Sequence, residues 1–265
     1  MPTRTTAPAS SPIRQEGPRL PFAEHLEELR RRLAVSLLAL LLAVGLSFTQ
    51  VERIVGWLQR PAAGRLPRFA FMSLTEPLLA YLNVAMLAGC VLAMPMLLAQ
   101  AWGFVRSGLT PKERAYGLVF IWWGSLHFLL GAAFGYFFLL PVSLRVLLGI
   151  GASYLEPVIS IQRYLSFVTS LVFWCGVIFE LPVLLVVLTK VGIVTPTWLR
   201  QQRPYAMLVL VIIAAVVTPT TDPVNLLLMA VPLILLYELS ILLAQFVVPT
   251  TRSSRFVTSP PETAE

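Results

Sequence analysis

Two short charged segments of this chain carry the residue types needed to receive a pair of guanidinium groups. FAEHLEELRRRL (22–33) sets Glu28 one helical turn before Arg31 and Arg32, with Arg30 between them. GFVRSGLTPKERAYG (103–117) sets Glu113 three residues after Thr110. A carboxylate can grip an arginine fork through charge-assisted, bidentate hydrogen bonds that the point charge of lysine does not reproduce. Each glutamate also has a local role open to it. On a helix, Glu28 pairs with Arg31 or Arg32 at i+3 or i+4. Thr110, Pro111 and Glu113 have the spacing of a capping box, with N-cap Thr, Pro at N1 and Glu at N3.

A third carboxylate stands where hydrocarbon should exclude it. Glu180, in CGVIFELPV, lies fifteen residues after Leu165 and ten before Lys190, inside an apolar run. Ionisable groups at that depth are costly and face a cavity or a partner. Pro182 removes a backbone hydrogen bond and leaves the Ile178 carbonyl for another donor. Glu180 is therefore either a functional intramembrane group or a neutral glutamic acid bonded to such a carbonyl, holding helices together. Asp222, the chain's sole aspartate, falls in TPTTDPVN with Thr218 and Asn225. There it caps the turn or the start of the next helix, with Asn225 as a second polar contact. Glu238 is expected near a membrane boundary, and His127 is expected to be a hydrogen-bonded packing residue.

These residues need a scaffold, and the composition names its solvent. Of 265 residues, 57% are hydrophobic and 12% charged, about half the charged share of a soluble domain. The net charge of +7 fits a membrane protein sorted by its basic loops, and nucleic acid is not an expected partner. Apolar runs fall near Leu33–Val51, Leu78–Phe104, Tyr116–Leu140, Leu165–Thr189, Tyr205–Val217 and Leu226–Val248. About 20 helical residues cross ~30 Å of hydrocarbon. The fifth run reaches only about 20 Å, and the sixth about 18 Å before Glu238 interrupts it. Two short helices in sequence imply local bilayer thinning.

Six spans put both termini on one side. If that side is the cytosol it carries fourteen basic residues against six outside, namely Arg53, Arg60, Arg65, Arg68, Arg145 and Arg163. The bias predicts N-in and C-in. Arg30, Arg31 and Arg32 abut the first run, where they snorkel to headgroups. The segment between the first two helices, with four of the outer arginines, is expected to be a structured external loop. Residues 1–20 and 249–265 are expected to be disordered cytoplasmic tails around a transmembrane domain of 21–248. No cleavable signal peptide is expected, because the acidic cluster precedes the first run and no A-x-A site follows. Cys90 and Cys175 lie in apolar runs and are expected to be small buried residues without a disulfide.

HLEELRRRL, WGFVRSGLTPKER, GVIFELPV and TPTTDPVN, in that order among six spans, resemble the TatC family over about Phe22 to Phe246. TatC is the signal-peptide receptor subunit of the twin-arginine (Sec-independent) protein translocase. The resemblance implies an all-α, polytopic, cup-shaped bundle in the bacterial cytoplasmic (inner) membrane, both termini cytosolic and the last two helices short. It implies recognition of twin-arginine signal peptides on folded cargo, association with TatA- and TatB-type single-span subunits, self-association, and transport driven by the protonmotive force. Residue by residue, Glu28 and Glu113 match the glutamates that recognise the arginine pair, with Arg30 and Phe104 on the same surface. Pro61 matches a proline of the first external loop, and Glu180 the glutamate of the membrane-embedded concave face. Thr218 and Asp222, with neighbouring Asn225, match the turn where a partner helix docks. The chain departs from the family at Leu226, where members commonly carry glutamine.

Other classes lack their residues. There is no Walker A sequence, no HExxH and only one Asp, so no enzyme, metal site or cofactor is expected. The rival is a proton-coupled secondary transporter using Glu180. Neither an internal repeat nor a matched pair of interrupted helices supports it.

Overall fold

The computed structural model describes residues 21–62, 69–70, 72–106, 114, 116–149, 158–218 and 222–247, with only the backbone of 21–25 and 247. Nearly all of this is helix, and the only strand-like feature among the described residues is an isolated bridge. The expected tails at 1–20 and 249–265 lie outside the described residues, as do Thr110, Pro111 and Glu113.

α1 (Pro21–Phe48) begins in the charged segment and continues through the first apolar run. Leu37, Leu38, Leu41, Leu42 and Leu46 are exposed, as on a helix whose outer faces meet hydrocarbon. The remaining stripe packs along α3 (Glu76–Arg106). Gly89 of α3 makes this close, because a methyl there would lie 2.8 Å from the Val44 backbone. α2 (Val51–Gln59) turns Val51, Val55 and Leu58 inward at helical spacing and leaves Arg53 and Trp57 outside. A 3₁₀ turn at Arg60–Ala62 follows, and Pro61 sits in it.

The third run is longer than its apolar stretch. α4 (Gly117–Phe134) passes through a π turn at Gly135–Leu139 into α5 (Leu140–Gly149), so that exposed Arg145 extends the same rod. Pro141 has no N–H to donate at the start of α5, and the wider turn just before it accommodates the missing bond. α6 (Ile161–Val191) carries Pro182 without interruption and ends on Gly192, whose φ of 84° is the left-handed cap that glycine adopts at no steric cost. It packs against α3, α4 and the final helix, and supplies much of the core through Leu165, Val168, Leu171 and Ile178. Cys175 is buried and Cys90 half-buried, both as free thiols.

α7 (Pro196–Gln201) is capped by the Thr195 hydroxyl, which accepts from the Trp198 N–H at 3.2 Å. α8 (Arg203–Val217) has 15 residues, about 22 Å of helix, and is short as the sequence predicts. α9 (Pro223–Val247) has 25 residues and is not short. Glu238 does not interrupt it, because Arg203 Nη2 donates to Glu238 Oε2 at 2.6 Å. A neutralised, partly solvated carboxylate no longer ends an apolar helix. Among the described residues, five helical runs are thus long and apolar enough to cross a membrane, and α8 is a shorter apolar helix beside them.

Candidate functional site

Four groups of polar side chains stand out from this apolar frame. At the charged end, Arg32 folds back one turn on α1. Its Nε donates to Glu28 Oε1 at 3.0 Å and its Nη2 to the same oxygen at 2.6 Å. The local pairing open to Glu28 is therefore formed, with Arg32. The Arg32 guanidinium also lies on Gly103 of α3, in space that any side chain at 103 would need. This contact ties the start of α1 to the end of α3, where Phe104 is half-buried beside it. Glu27, Glu28, Arg31, Arg32 and Gln100 line an open recess of about 690 Å³. Arg30 is exposed at the same end. These contacts thus join Glu28, Arg32 and Gly103 at this end, with Arg30 exposed on α1 and Phe104 half-buried on α3, while Glu113 lies outside the described residues. The Gly in WGF is the signal in the sequence for the Arg32 contact, legible only once the two helix ends are known to meet.

In the middle of the bundle, Glu180 of α6 faces Gly124 of α4. A methyl at 124 would meet Glu180 Oε2 at 3.1 Å and Leu98 of α3 at 2.6 Å. The carboxyl group therefore sits where α3, α4 and α6 converge. Its Oε1 is buried and has no hydrogen-bond partner among the described residues. His127 behaves as a packing residue, its Nδ1 2.9 Å from the Trp123 carbonyl oxygen one turn back.

The third group is the turn before α9. Asp222 Oδ1 accepts from the Asn225 N–H at 2.8 Å, and Asn225 Nδ2 donates to Oδ2 at 3.0 Å. Asp222 thus caps α9, and its buried partner Asn225 doubles the contact. Thr218, also buried, donates its hydroxyl to the Ala214 carbonyl at the end of α8.

The fourth is a cap at the other end of the bundle from Glu28 and Gly103. Tyr136 donates to the Trp57 carbonyl at 2.6 Å and Tyr164 to the Leu58 carbonyl at 2.8 Å, so the end of α2, just before the turn containing Pro61, is held from two other elements. Ala70 bridges the Ser160 segment through Ala70 N to Ile159 O (3.2 Å) and Ile161 N to Ala70 O (2.9 Å). Glu76 Oε2 accepts from Ser160 Oγ at 2.8 Å and from the Met72 N–H at 3.0 Å. The described part of the segment between α1 and α3 is therefore structured, as expected.

Long apolar helices with the polar groups gathered at their ends and at one inner junction define a multi-pass helical membrane protein. Residues 24–232 match the model of the family described as Sec-independent protein translocase protein (TatC). The chain is 37% identical over 263 residues to the TatC protein of Koribacter versatilis, covering 96% of this chain and 97% of that one. It is 37% identical over 230 residues to TatC of Aquifex aeolicus, covering 85% and 95%. The crystal structure of a twin-arginine translocase receptor, TatC, superposes with a TM-score of 0.77 at 36% identity, over 84% of this chain and 99% of that one. The chain belongs to the TatC family and is a subunit of the Sec-independent protein translocase.

Proposed function

We propose that this subunit is the receptor that binds twin-arginine signal peptides and, with TatA- and TatB-type single-span partners and further copies of itself, exports folded proteins across the bacterial cytoplasmic membrane. The protonmotive force drives the transport, and six spans leave both termini in the cytosol. The observation that carries this reading is the Glu28 carboxylate, set at the charged end and already gripping an arginine through two donors. A second guanidinium of the same geometry is the ligand such a group accepts. Glu113, three residues after Thr110, is its proposed companion, and Arg30 and Phe104 complete the surface. The likeness to a structure named for a twin-arginine translocase receptor supports the same role. The capped turn of Thr218, Asp222 and Asn225, beside the exposed faces of α8, is the proposed docking place of a partner helix. Glu180 offers a polar contact inside the membrane, and the Pro61 turn stiffens the outer cap.

Binding of a fluorescent twin-arginine peptide to the protein in nanodiscs, against a twin-lysine control, tests the proposal. Tight binding that is lost with lysine and weakened at least about tenfold by Glu28→Gln is expected, since charged hydrogen bonds contribute about 1.5–3 kcal/mol. Equal binding of both peptides would reduce the contact to general charge attraction. The unpartnered Glu180 oxygen is the one observation that favours the rival carrier function. Uptake of a small solute by the purified protein alone would revive that rival.

A further inference from the structure

Between α4 and α6, at the end opposite the cap, lies a groove of about 420 Å³. Trp102, Phe120 and Trp123 form one wall, and Val183, Val186 and Val187 the other. Its inner end is His127, which spends Nδ1 on the Trp123 carbonyl. Its mouth is Lys190, exposed in the last turn of α6, with Nζ 3.2 Å from the centroid of the Tyr116 ring. From Tyr116 to His127 the groove runs about 16 Å along α4. It is an apolar slot with one fixed cation at its rim.

That shape selects among occupants. An extended peptide would leave its N–H and C=O groups against valines and aromatic rings, with no water to meet them. A hydrocarbon chain has no such groups, and an anionic headgroup above it meets Lys190 at interfacial depth. Arg106 and Arg114 are exposed at the same end and add to the positive field. We propose that the groove binds one acyl chain of an anionic phospholipid, with its phosphate on the Lys190 ammonium. In the orientation proposed above, this is a lipid of the cytoplasmic leaflet, which is the anionic one. Tyr116 keeps the ammonium over the mouth, and the lipid wedges α4 from α6 a short way beyond Glu180.

The test uses the full chain in neutral detergent and brominated-acyl phosphatidylglycerol, which quenches the indoles of Trp102 and Trp123. Saturable quenching is expected, with phosphatidylcholine of the same chains at least about fivefold weaker, the effect of one basic residue at a membrane surface. Lys190→Gln should abolish that preference, Lys190→Arg should keep it, and Trp102→Phe with Trp123→Phe should remove the saturable signal. Lys190 is exposed, so its variants leave the fold intact. Equal quenching by the two lipids, or an unchanged preference in Lys190→Gln, would overturn the proposal. So would one-for-one displacement of the lipid by a twin-arginine peptide, which would assign the groove to the peptide.

Discussion

Arg32 is both the partner of Glu28 and its competitor. It occupies, through two donors on one oxygen, the carboxylate proposed for an incoming arginine, and it is parked there by its contact with Gly103. A half-exposed i,i+4 pair contributes about 0.3–1 kcal/mol. Displacing it therefore costs a receptor little, and removing it should help. Arg32→Gln is expected to tighten binding of a twin-arginine peptide by about two- to fivefold, read by titration in nanodiscs. Weaker binding would instead make Arg32 part of the recognition surface. Gly103→Ala reaches the same carboxylate from the other side. The added methyl meets only the far end of a flexible arginine, so the guanidinium should move off while thermal stability stays within about 1 kcal/mol of the parent. Of this site, Glu28 and its pairing were legible from the one-turn spacing in HLEELRRRL. The Gly103 contact was not, because nothing in a sequence states which helix ends meet.

Helix packing in the bundle depends on small residues more than on apolar ones, since lipid tails compete for every leucine. Gly131 and Gly135 in GAAFG, with Gly124 one heptad earlier, line the face of α4 turned to α6. A methyl at Gly131 would lie 2.5 Å from the Cys175 carbonyl oxygen and 2.7 Å from Phe179 Cβ. Backbone cannot step aside as an arginine tip can. Gly131→Ala is expected to cost about 1–3 kcal/mol as overpacking, seen as a lowered unfolding midpoint in detergent. Gly149→Ala, with open space around it, is the matched control and should leave the midpoint unchanged or slightly raised. An unchanged or raised midpoint in Gly131→Ala would mean that the α4–α6 contact does not set the packing there. The apolar runs located every long helix, yet their ends deceived at α9 and at the rod of α4 and α5. Counting to the first charge ended the sixth run at Glu238. Its counter-charge, Arg203, stands 35 residues away in the chain and becomes adjacent only after α8 folds back on α9. Arg145 likewise belongs to a helix that leaves the hydrocarbon without ending.

At the scale of the whole molecule the short α8 poses a problem of length. Its 15 residues supply about 22 Å against ~30 Å of hydrocarbon. Its neighbour α9, at 25 residues, has no such deficit, so the two-helix thinning inferred from the sequence contracts to one helix. The Arg203–Glu238 pair fixes α8 against α9 at one end. A helix shorter than the hydrocarbon gains nothing by tilting, so the bilayer must come to it, at fractions of a kcal/mol per Å of mismatch. Tyr205 and Val216, both exposed near opposite ends of α8, report on this directly. With Cys90 and Cys175 replaced by alanine, single cysteines at 205 and 216 should each react with a membrane-impermeant maleimide, but from opposite sides of sealed vesicles. Position 205 should label from the face that carries the basic loops. Longer acyl chains should slow labelling at both ends together if the lipid closes over a helix of fixed depth. Labelling of both positions from one side would show that α8 does not span, which would reduce the chain to five spans and place its termini on opposite faces. Such a result would overturn the shared cytosolic ends on which the proposed receptor surface depends.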